Sequence, residues 1–173
     1  MRALRIATSL LAVLALLGGT MGIAAVAAAA PLEPIRHVAG TLDVHQLPGG
    51  TFEVEDRVFQ YRDYPVAGSG HSISDPRLAG YLISEWNWDT LASGGQPVPA
   101  WGDITIDATD GTWQGSFTGI RDSDFQPVGV RAMLYGDGAY EGLCATLDIT
   151  VTTLAEDGTW FLDGVVHPVA MIG

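Results

Sequence analysis

The sequence contains four histidines and one cysteine, the side chains that most often bind zinc. A zinc site takes three or four such ligands, and at least two of them are usually close in sequence. The histidines are far apart, and one of them falls on the polar side of a predicted strand; they are His37, His45, His71 and His167. His37 and His167 lie near the two ends of the domain that follows residue 30, and they would meet if the first and last strands of that domain pair. We predict solvated histidines, no metal site and no metal cofactor.

The segment Gly70–Ser74 imitates the sharp turn that presents a nucleophilic serine in hydrolases. That turn joins a strand to a helix and ends in a glycine. Here the closing glycine is missing, and the residues that follow predict no helix. We therefore do not expect a nucleophile at this position.

Several aspartates raise the alternative of a calcium site, because calcium takes about six to eight oxygen ligands. They are Asp103, Asp107, Asp110, Asp122 and Asp124. Their spacing does not fit an EF-hand loop, since the required glycine and the closing glutamate are absent. The last two acids, in the loop from Arg121 to Gln126, remain as an adventitious site at most.

Aromatic residues are the most promising candidates for ligand binding. The four rings that we expect to line the mouth of a barrel are Trp86, Trp88, Trp101 and Tyr81. An apolar mouth lined by aromatic rings is a common small-ligand site. The alternative is that these rings fill the core, because large rings also dominate β-protein interiors.

The elements that position these residues are strands. After Ala30 the chain shows short alternating runs separated by turn signals, and no helical periodicity. The longest alternation has five inward positions: Leu143, Ala145, Leu147, Ile149 and Val151. About eight strands are predicted, joined mostly in sequence order. We predict an all-β fold, a single antiparallel, mostly up-and-down barrel of calycin-like appearance, with a β-sandwich as the alternative.

A second predicted strand runs from Phe52 to Tyr61, and its apolar phase slips. Phe52 and Val54 share one parity, whereas Phe59 and Tyr61 share the other. A β-bulge near Asp56–Val58 would explain the slip.

The next segment, Tyr64–Pro76, is rich in glycine, serine and proline and predicts a loop. A third strand follows, and four apolar residues are predicted to share one of its faces: Leu78, Leu82, Trp86 and Trp88. Another loop is predicted over Leu91–Pro99.

Three turns are predicted in the second half of the chain. Asp110-Gly111 and Asp157-Gly158 are typical two-residue hairpin turns, in which both residues tolerate positive φ. Gly136–Gly138 predicts another turn. The first two turns belong to a repeated Asp-Gly-Thr-Trp sequence. We attribute the repeat to two hairpins that use the same turn chemistry rather than to a duplication. In each copy the tryptophan that follows the turn, Trp113 or Trp160, is placed to close one end of the barrel.

The predicted interior is mostly apolar, and Ser84 and Gln46 are among its few polar groups. General acid–base catalysis needs a titratable group within hydrogen-bond reach of the substrate. No titratable pair shares the inward parity, so we predict no catalytic residue and disfavour an enzyme. The single cysteine, Cys144, excludes an intramolecular disulfide and is expected to be a buried structural thiol.

Several of these segments together resemble a group of uncharacterised exported bacterial proteins, over most of the mature chain. The segments run from Ser74–Arg77 through Trp101-Gly102 and Gly111–Gly119 to Gly136–Leu143. Within the last one, the Gly-x-Gly-x-Tyr-x-Gly run resembles the hairpin of the allene oxide cyclase and dirigent barrels over about ten residues. The resemblance implies an eight-stranded antiparallel barrel with an apolar interior. It implies no catalytic residue here, because the early strands lack a matching acidic and polar site.

The first thirty residues have the three parts of a secretory signal. Arg2 and Arg5 form a positive start, an uncharged apolar stretch follows, and Ala27–Ala30 suits a signal peptidase. The alternative is an uncleaved membrane anchor. We predict a signal peptide over 1–30, one domain over 31–173, and a secreted or extracytoplasmic location.

The mature chain is strongly acidic and has no lysine. All twenty acidic residues but only six of the eight arginines follow Ala30, so its formal charge is −14. Such a surface repels nucleic acid and anionic lipid, so neither is an expected partner, and no membrane contact is expected beyond the signal peptide. The leading functional hypothesis is a non-enzymatic exported module that binds a small apolar ligand. The alternatives are a cyclase- or isomerase-like enzyme acting on an apolar substrate and a structural or interaction protein of the envelope.

Overall fold

The computed structural model describes residues 34–70, 72–91, 97–121, 128–152 and 157–169. Contacts divide the chain into Met1–Pro31 and Leu32–Gly173. The first unit lies outside the described residues, so the signal peptide stays a prediction. Among the described residues, no helix has the length and apolar character needed to cross a bilayer.

The described residues form nine antiparallel strands and one short 3₁₀ helix. The strands are β1 (Arg36–Gln46), β2 (Thr51–Glu55), β3 (Val58–Gly70), β4 (Tyr81–Leu91), β5 (Val98–Ala108), β6 (Gly111–Arg121), β7 (Val128–Gly138), β8 (Leu143–Val151) and β9 (Asp157–Pro168). The 3₁₀ helix is Pro76–Leu78, between β3 and β4.

The strands make one sheet that closes on itself. Neighbours in sequence are neighbours in space from β3 to β9, and β9 pairs with β1. The ring of eight closes where β1 also pairs with β3, with Leu42 opposite Gly70. The predicted all-β, up-and-down, barrel-like fold is therefore confirmed. Of the strands in the described residues, β2 alone stands outside this ring.

Alternation along the strands fills the inside of the ring with apolar side chains. The five predicted inward positions of β8 are all buried. Trp86, Trp113 and Trp160 are the largest of the fully buried side chains. Ser84 faces inward as predicted, but the prediction for Gln46 is wrong, because that side chain is exposed at the end of β1.

The predicted bulge between Phe52 and Tyr61 is wrong, because the chain reverses there. Asp56 and Arg57 form a two-residue turn between β2 and β3, with φ values of 47° and 69°. Positive φ at both central residues is typical of a type I′ turn, whose twist matches that of the flanking strands. Phe52 consequently lies opposite Tyr61, on the same face of the hairpin.

Most of the predicted loop Tyr64–Pro76 is in fact strand, since β3 continues to Gly70. The irregularity that the sequence suggested earlier occurs here instead. The register with β4 shifts between Tyr61 and Tyr64, and Asp63 has a φ of 56°. Past this bulge β3 pairs with β4 on one side and with β1 on the other, which closes the ring.

The three turns predicted in the second half are displaced. The β5–β6 hairpin does have a two-residue turn, but its central residues are Thr109 and Asp110, since Ala108 pairs with Gly111. Neither Asp110 nor Gly111 has the expected positive φ. Gly111 is needed for a different reason: an added Cβ would meet the carbonyl oxygen of Asp137.

The other two turn predictions are wrong in position. The run Gly136–Gly138 lies within β7, and the chain turns over 139–142. Asp157 and Gly158 begin β9, opposite His45 and Val44. The two Asp-Gly-Thr-Trp copies therefore sit at opposite ends of the ring, because one follows the β5–β6 turn and the other follows the β8–β9 connection.

One end of the ring is closed by the segment that holds the 3₁₀ helix. Leu78, predicted in a strand, belongs to this helix and is fully buried. The carbonyl of Arg77 accepts a 2.8 Å hydrogen bond from Trp113 Nε1. Asp75 caps the helix and forms a 2.7 Å ion pair with Arg77, whose hydrogen bonds hold the pKa of this buried carboxyl below its usual range.

Candidate ligand-binding rim

At the end opposite the 3₁₀ helix, the β2–β3 hairpin extends beyond the ring. Among the described residues, β2 pairs with the first part of β3, whereas β1 pairs with the last part of β3. The hairpin is thus supported by the ring on one side through β4. Its inner face carries four aromatic residues that reach the ring at Trp88. We call these residues the aromatic rim: Phe52, Phe59, Tyr61, Tyr64 and Trp88.

The rings of the aromatic rim touch in an unbroken series. Tyr61 is stacked on Trp88, with 4.6 Å between ring centroids and 12° between planes. Tyr64 lies 5.0 Å from Trp88. Phe52 lies 5.0 Å from Tyr61 and 5.5 Å from Phe59. These separations are in the range of favourable aromatic pairs, so the rings fix one another's positions.

Exposure increases along this series. Trp88 is 6% exposed, Phe59, Tyr61 and Tyr64 are partly exposed, and Phe52 is 49% exposed. The neighbouring Val54 is 58% exposed and shares the face of Phe52. The rim therefore presents apolar surface to water on a fixed backbone.

A buried cation lies beneath the rim. Arg121 ends β6 with an inward-facing side chain that is 4% exposed, and its Cζ lies 4.5 Å from the centroid of the Trp88 ring. Burial lowers the pKa of the guanidinium, and Tyr61 opposes that shift. Arginine stays protonated even so, and the contact is a cation–π interaction that orients the indole.

The outer side of the hairpin is polar. Arg62 Nη1 lies 2.6 Å from Asp89 Oδ1 and donates to the carbonyls of Tyr61 and Trp88 at 2.8 Å and 3.2 Å. Asp89 Oδ1 is buried, and its partner within the described residues is this ion pair with Arg62. Arg62 also lies over Trp101, 5.2 Å from the ring centroid.

A shallow cleft of about 320 Å³ opens next to this ion pair. Its lining is mainly apolar and comprises Val58, Asp89, Thr90, Leu91, Pro97, Val98 and Pro99. The cleft extends the apolar surface at this end of the ring from the hairpin to β5.

The four rings predicted from the sequence do not form one site. Trp86 is in the core, Trp88 belongs to the rim, and Trp101 and Tyr81 point outward from opposite ends of the β4–β5 pair. Sequence reasoning missed the other rim residues. The sequence signal for these residues was the change of apolar parity between Phe52 and Tyr61. When that change is interpreted as a turn, the two residues come to lie opposite each other.

The interior supplies little titratable chemistry. Within the described residues, the buried polar or charged side chains are Asp75, Ser84 and Arg121. Asp75 belongs to the 3₁₀ segment at the far end. The Ser84 hydroxyl accepts a 3.0 Å hydrogen bond from Trp86 Nε1 and lies 3.4 Å from the Val66 carbonyl.

The other candidate motifs from the sequence are dispersed. His37 and His45 are exposed, and His37 lies opposite Val165 in the predicted pairing of first and last strands. His71, Asp122 and Asp124 lie outside the described residues. Within the described part of the chain, no group of three or more His, Cys, Asp or Glu side chains could hold a metal ion.

Cys144 is buried, as predicted, but it lies on the outer face of β8. Tyr135 and His167 flank it on the neighbouring strands. Burial raises the pKa of the thiol, and a hydrogen bond with Thr146 only partly opposes that shift. A raised pKa is typical of a structural cysteine rather than a nucleophile.

Comparison with known proteins adds no relative: no family model, curated protein or solved structure matches the chain.

Proposed function

We propose that the chain is an exported, non-enzymatic binding module whose aromatic rim takes a small apolar ligand. The observation that carries the proposal is the series of touching rings on the β2–β3 hairpin, which ends in a half-exposed Phe52. Exposed apolar side chains gathered on one fixed surface are typical of binding sites.

The state of the interior supports the rim as the place of binding. Trp86, Trp113 and Trp160 occupy the inside of the ring and are almost fully buried. A ligand bound within the ring would have to displace them. A ligand on the rim would instead cover rings that are already partly exposed and would require little rearrangement.

Rim chemistry favours a flat, uncharged molecule. Phe52 and Phe59 offer apolar faces without polar atoms, while the hydroxyls of Tyr61 and Tyr64 offer hydrogen bonds to a ligand with a single polar group. The cyclase- or isomerase-like alternative would need a carboxylate at the reacting centre. The buried polar groups that face the inside of the ring, among the described residues, are Ser84 and Arg121, and the Asp89 carboxylate beside the rim is held in an ion pair with Arg62, which favours a binding role.

A structural or interaction role is the second candidate, and the packed interior is the observation that favours it. The two roles differ in whether the rim binds anything small.

The test is titration with Nile red, a neutral apolar dye whose emission rises when it leaves water. The expected result is saturable binding that Phe52→Ala weakens about tenfold, equivalent to the loss of one aromatic contact. Phe161→Ala is the matched control, because Phe161 is 50% exposed but lies on the outer face of β9. Equal binding by both variants, or no binding by the unaltered protein, would contradict the proposal.

A further inference from the structure

The strand β2 leaves one of its edges open. Within the described residues β2 pairs with β3 alone, and it stands at the end of the sheet order. All five of its residues, Thr51–Glu55, are exposed. An open strand edge presents unpaired N–H and C=O groups that can pair with another strand.

The turn determines which backbone groups face the open edge. In a two-residue turn the flanking residues, here Glu55 and Val58, hydrogen-bond to each other. Bonded and non-bonded pairs then alternate along the strands. Glu53 therefore points its backbone groups at β3, whereas Phe52 and Val54 point theirs at the open edge, which offers two donors and two acceptors.

The edge is also held in place before any partner arrives. The Asp56-Arg57 turn has the type I′ geometry that matches strand twist, and the Phe52 ring packs on Tyr61 and Phe59. Little conformational entropy would be lost in the strand on pairing, which favours association.

Charge selects the occupant. Glu53, Glu55 and Asp56 line this part of the hairpin, and Arg57 in the turn offsets only part of their negative charge. Pairing with a second copy of β2 would bring like charges opposite each other, which is unfavourable. A strand with basic residues opposite Glu53 and Glu55 would instead be attracted.

We propose that β2 binds an extended, basic segment of a partner protein by β-strand addition. Side chains alternate between the two faces of a strand, so the segment alternates in the same way. Its basic residues face Glu53 and Glu55 on the outer side, and its apolar residues extend the surface of Phe52 and Val54 on the inner side.

The test uses a peptide of about eight alternating arginine and valine residues as the probe, with binding measured by calorimetry at low salt. Val54→Pro is the diagnostic variant, because proline removes the outward N–H while leaving the bonds to β3 in place. The expected result is that binding weakens about tenfold or more in this variant. Val54→Ala, which keeps the N–H, is the matched control and should bind more tightly than Val54→Pro.

Two further experiments distinguish backbone pairing from electrostatic attraction alone. A peptide with the same sequence, N-methylated at its valines, keeps its charge but lacks the N–H groups that would face Phe52 and Val54, and it should bind at least about tenfold more weakly. The Glu53→Gln, Glu55→Gln double variant should bind the unmethylated peptide more weakly, and added salt should reduce the difference. Unchanged melting of each variant shows that the fold is intact.

Three outcomes would overturn the proposal. They are equal binding of the methylated and unmethylated peptides, equal binding by Val54→Pro and Val54→Ala, and a concentration-dependent dimer that Val54→Pro abolishes. The last would assign the edge to a second copy of the chain. Nile red binding does not depend on the outward N–H of Val54, so the two proposals can fail separately.

Discussion

Replacing Trp86 by alanine should destabilise the fold strongly, because this residue lies where three large rings meet. Its side chain is 1% exposed, and its ring centroid lies 4.3 Å from that of Phe117 and 5.3 Å from that of Trp160. Large-to-small replacement of a buried tryptophan lowers the free energy of unfolding by roughly 3–5 kcal/mol. We expect a loss in that range.

A second substitution separates packing from hydrogen bonding. Trp86→Phe keeps most of the ring volume but removes the 3.0 Å hydrogen bond from Nε1 to Ser84 Oγ. The expected loss is about 1–2 kcal/mol, which combines one hydrogen bond with a smaller void. Indole should bind in the cavity of Trp86→Ala and restore part of the stability, since apolar cavities accept aromatic molecules and binding to the folded state stabilises it.

Urea unfolding followed by far-ultraviolet circular dichroism measures these losses without relying on the altered tryptophan emission. Phe161→Ala is the control, with an expected loss below about 1 kcal/mol because that ring is half exposed. If Trp86→Ala loses no more than this control, the interior is not packed around Trp86 and the reasoning is refuted.

Four other predictions concern separate parts of the chain. The pKa of Asp75 is lower in the folded state than its ordinary value of 3.8. Its ion pair therefore stabilises the fold above that value, and this contribution is lost as the pH falls through the folded pKa. When the free energy of unfolding is measured against pH in acid, Asp75→Asn should lack this part of the pH dependence. Gly111→Ala should destabilise by about 1 kcal/mol or more in thermal melts, whereas Gly129→Ala, where an added Cβ meets nothing within 4 Å, should not. Cys144, being buried with a raised pKa, should react with a thiol reagent only after unfolding, and fast labelling of the native protein would show that the site is open. N-terminal sequencing of exported protein should begin near Pro31, and intact chain in a membrane fraction would show an anchor instead.

The strands of the second half were predictable because both their faces are regular. In β8 every second residue is apolar and buried, so the period of two gives both the strand and its inward face. The turns were less predictable. Asp110-Gly111 fits a type I′ turn, yet close packing against β7 places Gly111 in a strand.

The β2–β3 hairpin could not be distinguished from a bulge by parity alone. In the hairpin, paired residues such as Phe52 and Tyr61 have one even and one odd number, and a one-residue bulge shifts apolar parity in the same way. The dipeptide Asp56-Arg57 also lacks the glycine that usually marks a type I′ turn. Since the aromatic rim exists only once this turn is known, the candidate site was largely beyond sequence reasoning.

The second half of β3 was missed because its composition is that of a loop. Gly68 and Gly70 lie in the strand, where an added Cβ on Gly68 would meet Val44 and the carbonyl of Asp43, and one on Gly70 would meet Ile73. Here glycine permits close approach between β3 and its neighbours. Pairing with β1 and β4 outweighs the low strand propensity of this glycine-rich segment.

The most direct test of the central claim is amide NMR of the mature protein during titration with Nile red. If the rim is the binding site, shift changes will saturate and will concentrate in residues 51–64 and at Trp88, with little change at Phe161 or Tyr135 on the outer face. Saturable changes centred on the outer face, or an absence of saturable change anywhere, would contradict the account.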